Sequence, residues 1–188
     1  MRIKNQLIAA LCLVSPSLYA HTGGHIDHSL FSGLLHPLTG IDHLLVLLAV
    51  GLLAAKQGGK ALWAFPTVFF ALMVAGALLN TVAVAIPFVE SLIALSLVAF
   101  GLLVAFHQTQ RAKLLFLGAS FFALFHGYVH AAEIPADTSA TVYFTSLMLM
   151  SLTICVAGAI LGLNTGKRIN YLFSLICLSS GLYYLSAV

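Results

Sequence analysis

The chain has 188 residues, of which 61% are hydrophobic and only 7% are charged. A typical soluble domain carries about 25% charged residues, and here several apolar runs are long enough to cross the ~30 Å hydrocarbon core of a bilayer. The formal charge of +3 comes from scattered basic residues, which excludes the basic patch of a nucleic-acid-binding protein. The composition therefore predicts an all-α protein embedded in a lipid bilayer, without a separate soluble domain.

The first twenty residues, MRIKNQLIAALCLVSPSLYA, have the order of a secretory signal peptide. Basic residues Arg2 and Lys4 precede a short apolar stretch, which ends at the small residue Ala20. The apolar stretch is too short to cross a bilayer as a helix. We therefore expect residues 1–20 to be cleaved, leaving a membrane domain of residues 21–188 that begins outside the cytoplasm.

The rest of the sequence contains hydrophobic segments that predict six membrane helices. They lie at residues 29–55, 61–79, 86–106, 112–134, 140–163 and 169–187. Beyond the signal peptide, the basic residues fall at alternate connections: Lys56, Lys60, Arg111, Lys113, Lys167 and Arg168. Because basic residues mark cytoplasmic loops, we expect both termini outside, in a protein that crosses the bacterial cytoplasmic membrane several times.

Small and sulfur-containing residues within these segments predict helix packing. Cys155 and Cys177 lack the spacing of a metal or disulfide site, and buried cysteines commonly act as small apolar residues. Gly158 and Gly162 have the GxxxG spacing that lets membrane helices approach closely. We therefore assign these four residues to the packing of helices.

Histidines and acidic residues are concentrated on one side of the predicted topology, in outer halves of helices or in exterior segments. The candidates for metal binding are His21, His25, His28, His36, Asp42, His43, Glu90, His126, His130 and Glu133. Among the histidines, only His107 lies at a cytoplasmic helix end. A random scatter of polar residues would not be expected to sort in this way.

Helical spacing groups the polar residues of the first and fourth segments. At ~100° per residue, His126, His130 and Glu133 share one narrow helix face. His36 and His43 are seven residues apart and share a face of the first segment. If the two segments are antiparallel neighbours, His43 lies level with His126, and His36 lies level with Glu133. The expected geometry is a column of imidazoles and carboxylates that runs inward from the exterior.

Asp42 does not fit this face on a straight helix, because it points ~100° away from His43. Pro37 and Gly40 favour an irregular backbone that could bring Asp42 into the column, since broken membrane helices are tolerated where they line a cavity. The alternative is that Asp42 orients a neighbouring imidazole. The positions of the motifs also suggest two three-helix halves of inverted topology.

The carboxylates of the membrane segments lack a compensating positive charge, which protons, histidinium or a bound cation could supply. An ionised carboxylate in mid-membrane costs roughly 2.5–3.5 kcal/mol, and no lysine or arginine lies deep enough in the segments to pair with Asp42, Glu90 or Glu133. Imidazole and carboxylate ligands suit nickel, cobalt or zinc. We expect copper(I) to be disfavoured, because the histidine groups lack thiolates and thioethers.

The two histidine motifs resemble those of the HupE/UreJ family of hydrogenase and urease accessory nickel permeases. HPLTGIDH at 36–43 resembles the family motif of a histidine, five further residues and then Asp-His. FHGYVHAAE at 125–133 is similar to the family's second motif, except that this chain has Ala131 where the family pattern has glycine. With the signal peptide and six helices, the resemblance covers essentially the whole chain. It implies a permease, and not an enzyme, with Ni²⁺ or Co²⁺ as substrate and no prosthetic group.

Two other functions remain open. An intramembrane metalloenzyme could hold zinc on these histidines and a carboxylate, with Ser120 and Tyr128 nearby in the sequence. A metal sensor or membrane-anchored chaperone is disfavoured, because the composition leaves no room for a soluble output domain. The sequence does not predict the oligomeric state.

Overall fold

The computed structural model describes residues 25–106 and 112–188, so the predicted signal peptide, His21 and His107 lie outside the described residues. Within the described ranges the regular structure is entirely helical. The helices are α1 (His25–Thr39), α2 (Ile41–Gln57), α3 (Ala61–Thr81), α4 (Val89–Ala105), α5 (Ala112–Ser120), α6 (Ala123–Ala132), α7 (Ala140–Asn164) and α8 (Lys167–Ala187). The prediction of an all-α chain is confirmed for this part of the protein.

Each predicted hydrophobic segment coincides with helix, but the first and fourth segments are broken. Helices α3, α7 and α8 are long and apolar enough to cross a bilayer, and α1 with α2 would form a fourth span bent by 77°. Helix α4 and the stretch Phe116–Ala132 are apolar but shorter. Length and composition of the described helices thus identify three or four candidate spans, whereas six remains the prediction from sequence.

The break between α1 and α2 has a local cause. Pro37 has no N–H to donate within α1, and the Thr39 hydroxyl donates to the His36 carbonyl at 2.9 Å. Gly40 then adopts an extended conformation with φ −83° and ψ 109°, and α2 begins at the next residue. The irregular backbone considered from the sequence is therefore present. The expectation of one straight helix face shared by His36 and His43 is wrong.

The fourth segment is interrupted at residues 121–122, where a turn separates α5 from α6. Helix α6 ends at Ala132, so Glu133 follows the helix as its C-cap. The Glu133 N–H still donates to the Val129 carbonyl at 2.9 Å, which keeps Glu133 close to the helical position expected for it. The expectation of one continuous helix through residues 112–134 is wrong at the turn, whereas the end at Ala132 lies two residues from the expected boundary.

Glycines bring α2 and α7 into backbone contact. A Cβ atom at Gly51 of α2 would lie 1.8 Å from the Cys155 carbonyl oxygen of α7. Gly158 and Gly162 of α7 similarly approach the backbone of α2, where added Cβ atoms would lie 2.3 Å and 2.8 Å from the carbonyl oxygens of Leu48 and Leu52. The predicted packing role of this GxxxG pair is confirmed.

Two further helix pairs are built in the same way. In the pair α3 and α6, Cβ atoms at Gly76 and Gly127 would lie 1.9 Å and 1.8 Å from carbonyl oxygens of the opposite helix. In the pair α4 and α8, Gly101 faces α8, and an added Cβ at Gly181 would lie 3.0 Å from the Ala94 carbonyl oxygen. Each pair thus has glycines on both of its helices.

The three pairs relate the two halves of the chain. The first predicted segment packs mainly against the fifth, the second against the fourth, and the third against the sixth. If the first, second and third segments are exchanged with the fourth, fifth and sixth, respectively, the same three pairs result. The two broken segments, the first and the fourth, exchange with each other. The pairing of helices therefore has a symmetry that the amino-acid sequences of the halves do not show.

Two of the connections that carry basic residues lie at the same end of the bundle. The Lys56 ammonium at the end of α2 donates to the carbonyl of Thr165, which lies in the α7–α8 connection beside Lys167 and Arg168. These connections therefore lie at the same end, as alternate cytoplasmic loops require. His43 lies near the opposite end of α2, ~20 Å away by helical rise.

Alanine at Gly51 should destabilise the bundle, because its Cβ would overlap the backbone of α7. Overpacking of this kind typically costs about 1–3 kcal/mol. Gly118→Ala is the matched control, since a Cβ there meets nothing within 4 Å and alanine favours helix. Thermal unfolding in detergent micelles should show a lower midpoint for Gly51→Ala only. Equal midpoints for the two variants would contradict the packing described here.

Candidate metal centre

Four histidine rings meet where α1, α2 and α6 converge. The His43 ring centroid lies 4.2 Å from that of His130 and 4.8 Å from that of His126. The ring of His36 lies 4.8 Å from that of His130. Three of the rings are buried and His36 is partly buried. The two sequence motifs therefore form one cluster, which we call the histidine cluster.

The break between α1 and α2 makes this cluster more compact than the expected column. On a straight helix His36 and His43 would be separated by ~10 Å of rise, whereas their ring centroids are 5.8 Å apart. Both rings therefore converge on His130. One nitrogen from each of these three histidines lies within 4.8 Å of the others, which is close enough for a single metal ion to bind all three.

The two carboxylates contact the cluster at its periphery. Asp42 Oδ1 lies 3.2 Å from Nδ1 of His43, which corresponds to the orienting role considered for Asp42. Glu133 Oε2 lies 3.2 Å from Nε2 of His36, so the expected pairing of these two residues is present. The Glu133 side chain is 48% exposed and that of His36 is 24% exposed. This pair therefore forms the rim at which the cluster reaches the surface.

Two ring nitrogens at the centre of the cluster have no hydrogen-bond partner. Nε2 of His43 and Nδ1 of His130 are both enclosed, and neither has a hydrogen bond to any part of the chain that the structure describes. Buried polar atoms are normally paired, because burial removes the hydrogen bonds that water would provide. Neutral imidazoles with free lone pairs are metal ligands, so a divalent ion would satisfy both atoms.

Apolar side chains close the cluster on the side toward the Lys56 end of α2. They are Val46, Leu47, Phe69 and Met73, which line a small space together with His43, His126 and His130. Met73 comes from α3, which carries neither motif. The argument against copper(I) rested on the absence of thioethers from the histidine groups, and the Met73 side chain lines the space beside them. The nitrogen-rich set still suits nickel, cobalt and zinc.

Ser96 on α4 contacts the cluster but was not among the residues predicted from the sequence. Its hydroxyl donates to the Ile93 carbonyl at 2.6 Å and lies 2.9 Å from Nε2 of His126. A hydroxyl has one proton, so we infer that His126 donates its Nε2–H and keeps its lone pair on Nδ1. The sequence signal was one of two serines in an apolar helix, and serines in such helices are too common to indicate a site.

The weaker candidates lie apart from the cluster or outside the description. Glu90 in the first turn of α4 and His28 in α1 are exposed, and within the described ranges no hydrogen bond or ion pair joins either to the cluster. The backbone of His25 begins α1, but its side chain, like the whole of His21, lies outside the described residues.

Apolar helices of membrane-spanning length, broken beside a buried histidine cluster, define an α-helical membrane protein with a candidate metal site. The HupE / UreJ protein family model matches residues 9–184, and the chain belongs to this family. It is 39% identical over 161 residues to Protein HupE of Rhizobium leguminosarum bv. viciae, covering 85% of this chain and 83% of that relative. No solved structure matches significantly. The family resemblance seen in the two motifs is confirmed.

Substitution of Ser96 by alanine should destabilise the protein, because the Nε2–H of His126 would lose its acceptor while remaining buried. An unpaired buried donor typically costs about 1–3 kcal/mol. Ser179→Ala is the matched control: its exposed hydroxyl makes a similar bond to the Ile176 carbonyl but touches no histidine. Unfolding in micelles should separate the two variants, and nitrogen NMR of His126 should show a changed tautomer only in Ser96→Ala. Identical behaviour would refute the assigned hydrogen bond.

Proposed function

We propose that this protein is a secondary permease that takes up Ni²⁺ or Co²⁺ as its substrate across the bacterial cytoplasmic membrane. The observation that carries the proposal is the convergence of His36, His43 and His130, with two enclosed ring nitrogens that lack partners. Membership of the HupE/UreJ family supports the same role. The metal would replace part of its hydration shell with imidazole nitrogen, so the protein needs no prosthetic group.

The proposed topology places the rim of the cluster outside the cell. It comprises a cleaved signal peptide at residues 1–20 and six spans within residues 21–188, with the Lys56 end of α2 in the cytoplasm. His43 would then lie ~20 Å from the cytoplasmic end of a hydrocarbon core ~30 Å thick. A metal ion arriving from outside would meet Glu133 and His36 first, then His43 and His130, with His126 deepest.

Proton competition should accompany metal binding. Imidazole binds metal only in its neutral form, and carboxylates bind only when ionised, so binding releases protons and should weaken in acid. The sequence contains no ATPase motif. Uptake would therefore be driven by ion gradients or by capture of the metal in the cytoplasm.

The alternative of a zinc-dependent intramembrane hydrolase receives less support from the surroundings of the cluster. The space between the histidines and the apolar side chains beneath them has no room for an organic substrate. Ser120, considered from its nearness in sequence, is fully buried, and no contact described for it joins it to the histidines. We therefore propose transport rather than catalysis.

Alanine substitution of His43 or His126 should abolish uptake of radiolabelled nickel and cobalt into proteoliposomes, because it removes a deep ligand from the route. His107→Ala should retain most uptake, since that histidine belongs to neither motif. All variants should insert into the membrane at wild-type levels. Normal transport by both deep variants would reject the proposed route, and hydrolysis without net metal movement would favour the enzyme.

The exterior tail should act differently from the cluster. We expect His21, His25 and His28 to raise the local metal concentration without lining the route, so replacing all three should weaken uptake mainly when metal is scarce. Uptake measured against metal concentration should show a raised half-saturation and a nearly unchanged maximal rate. A maximal rate as low as that of His43→Ala would instead place the tail within the transport site.

A further inference from the structure

Tyr143, in the first turn of α7, adjoins the outer part of the histidine cluster and belongs to neither motif. Its ring centroid lies 6.0 Å from that of His36, with the two rings edge to face at 72°. The residue is only 1% exposed. Its hydroxyl is enclosed and has no hydrogen-bond partner in the described part of the chain. An unpaired hydroxyl in such a place is unfavourable, and phenylalanine would fill the same space without that cost.

The backbone holds Tyr143 beside the helix that carries His36. A Cβ atom at Gly33 of α1 would lie 2.3 Å from the Tyr143 carbonyl oxygen and 2.0 Å from the Ser146 hydroxyl oxygen. The Ser146 hydroxyl in turn donates to that Tyr143 carbonyl at 2.9 Å. Helices α1 and α7 are therefore in backbone contact one helical turn from His36, which fixes where the tyrosine stands relative to the cluster.

A partly hydrated metal ion would supply the partner that this hydroxyl lacks. Three imidazoles leave at least one coordination position of a divalent first-row ion open, and water fills such positions. Water bound to a divalent cation is polarised and donates strong hydrogen bonds, and a phenol oxygen can accept one. The outer side of the cluster, where Tyr143 lies beside His36, is the side at which an ion would retain water, because the inner side is lined by apolar groups.

We propose that the Tyr143 hydroxyl binds a water ligand of the metal ion held by His36, His43 and His130, so that the site accepts its substrate partly hydrated. This inference rests on the proposed transport of Ni²⁺ or Co²⁺. It assigns the otherwise unexplained hydroxyl to the substrate and makes Tyr143 a binding residue contributed by α7.

The test compares the full-length wild type with Tyr143→Phe and Tyr171→Phe in lipid nanodiscs. Tyr171 is exposed on α8, so its variant loses the same hydroxyl away from the cluster. Titration calorimetry with NiCl₂ and CoCl₂ should show about three- to tenfold weaker binding for Tyr143→Phe and wild-type binding for Tyr171→Phe. The unfolding midpoint of metal-free Tyr143→Phe should equal or exceed that of the wild type.

Two results would overturn this inference alone: wild-type affinity in Tyr143→Phe, or a lowered metal-free midpoint in that variant. The second would show that the hydroxyl supports the fold rather than the substrate. If the wild type binds neither ion, the proposed function fails, and the role of Tyr143 fails with it. Binding by the wild type that is lost in His43→Ala would support the site independently of Tyr143.

Discussion

The histidine cluster depends on the absence of a side chain at Gly40. A Cβ there would lie 2.8 Å from Nδ1 of His43 and 3.0 Å from Oδ1 of Asp42. A larger residue would therefore displace the His43 imidazole and the Asp42 carboxylate that orients it. The same residue ends one helix and begins the next at an angle of 77°. This bend brings His36 back toward His43, so that both converge on His130. A continuous helix would spread the ligands along the membrane normal.

The cluster lies between two helix pairs that glycine contacts hold together. His43 belongs to α2, which is in backbone contact with α7, whereas His126 and His130 belong to α6, which is in backbone contact with α3. An ion bound by His43 and His130 would therefore join the two pairs. These two pairs are exchanged when the first and second halves of the chain are interchanged.

Hydropathy marks the helices in the sequence, and helical periodicity groups His126 with His130, whose rings both lie beside that of His43. The sequence does not predict Ser96, Met73 or Tyr143, since each is a single residue from a helix without a motif, brought to the cluster only by tertiary packing. The irregular backbone could be anticipated from Pro37 and Gly40, but not the bend angle of 77°. Signal cleavage and membrane orientation remain predictions from the sequence.

The polarity of the surroundings changes along the proposed route, which would separate binding of an ion from its release. At the rim, Glu133 and His36 are partly exposed and can meet a hydrated ion at little desolvation cost. At the centre, a bound metal ion would give the unpaired nitrogens of His43 and His130 the partner that burial denies them. Beyond them stand apolar groups, through which a divalent ion cannot pass without ligands. On the proposed route, an ion bound in this arrangement would therefore leave inward only if the helices rearranged and the apolar layer opened.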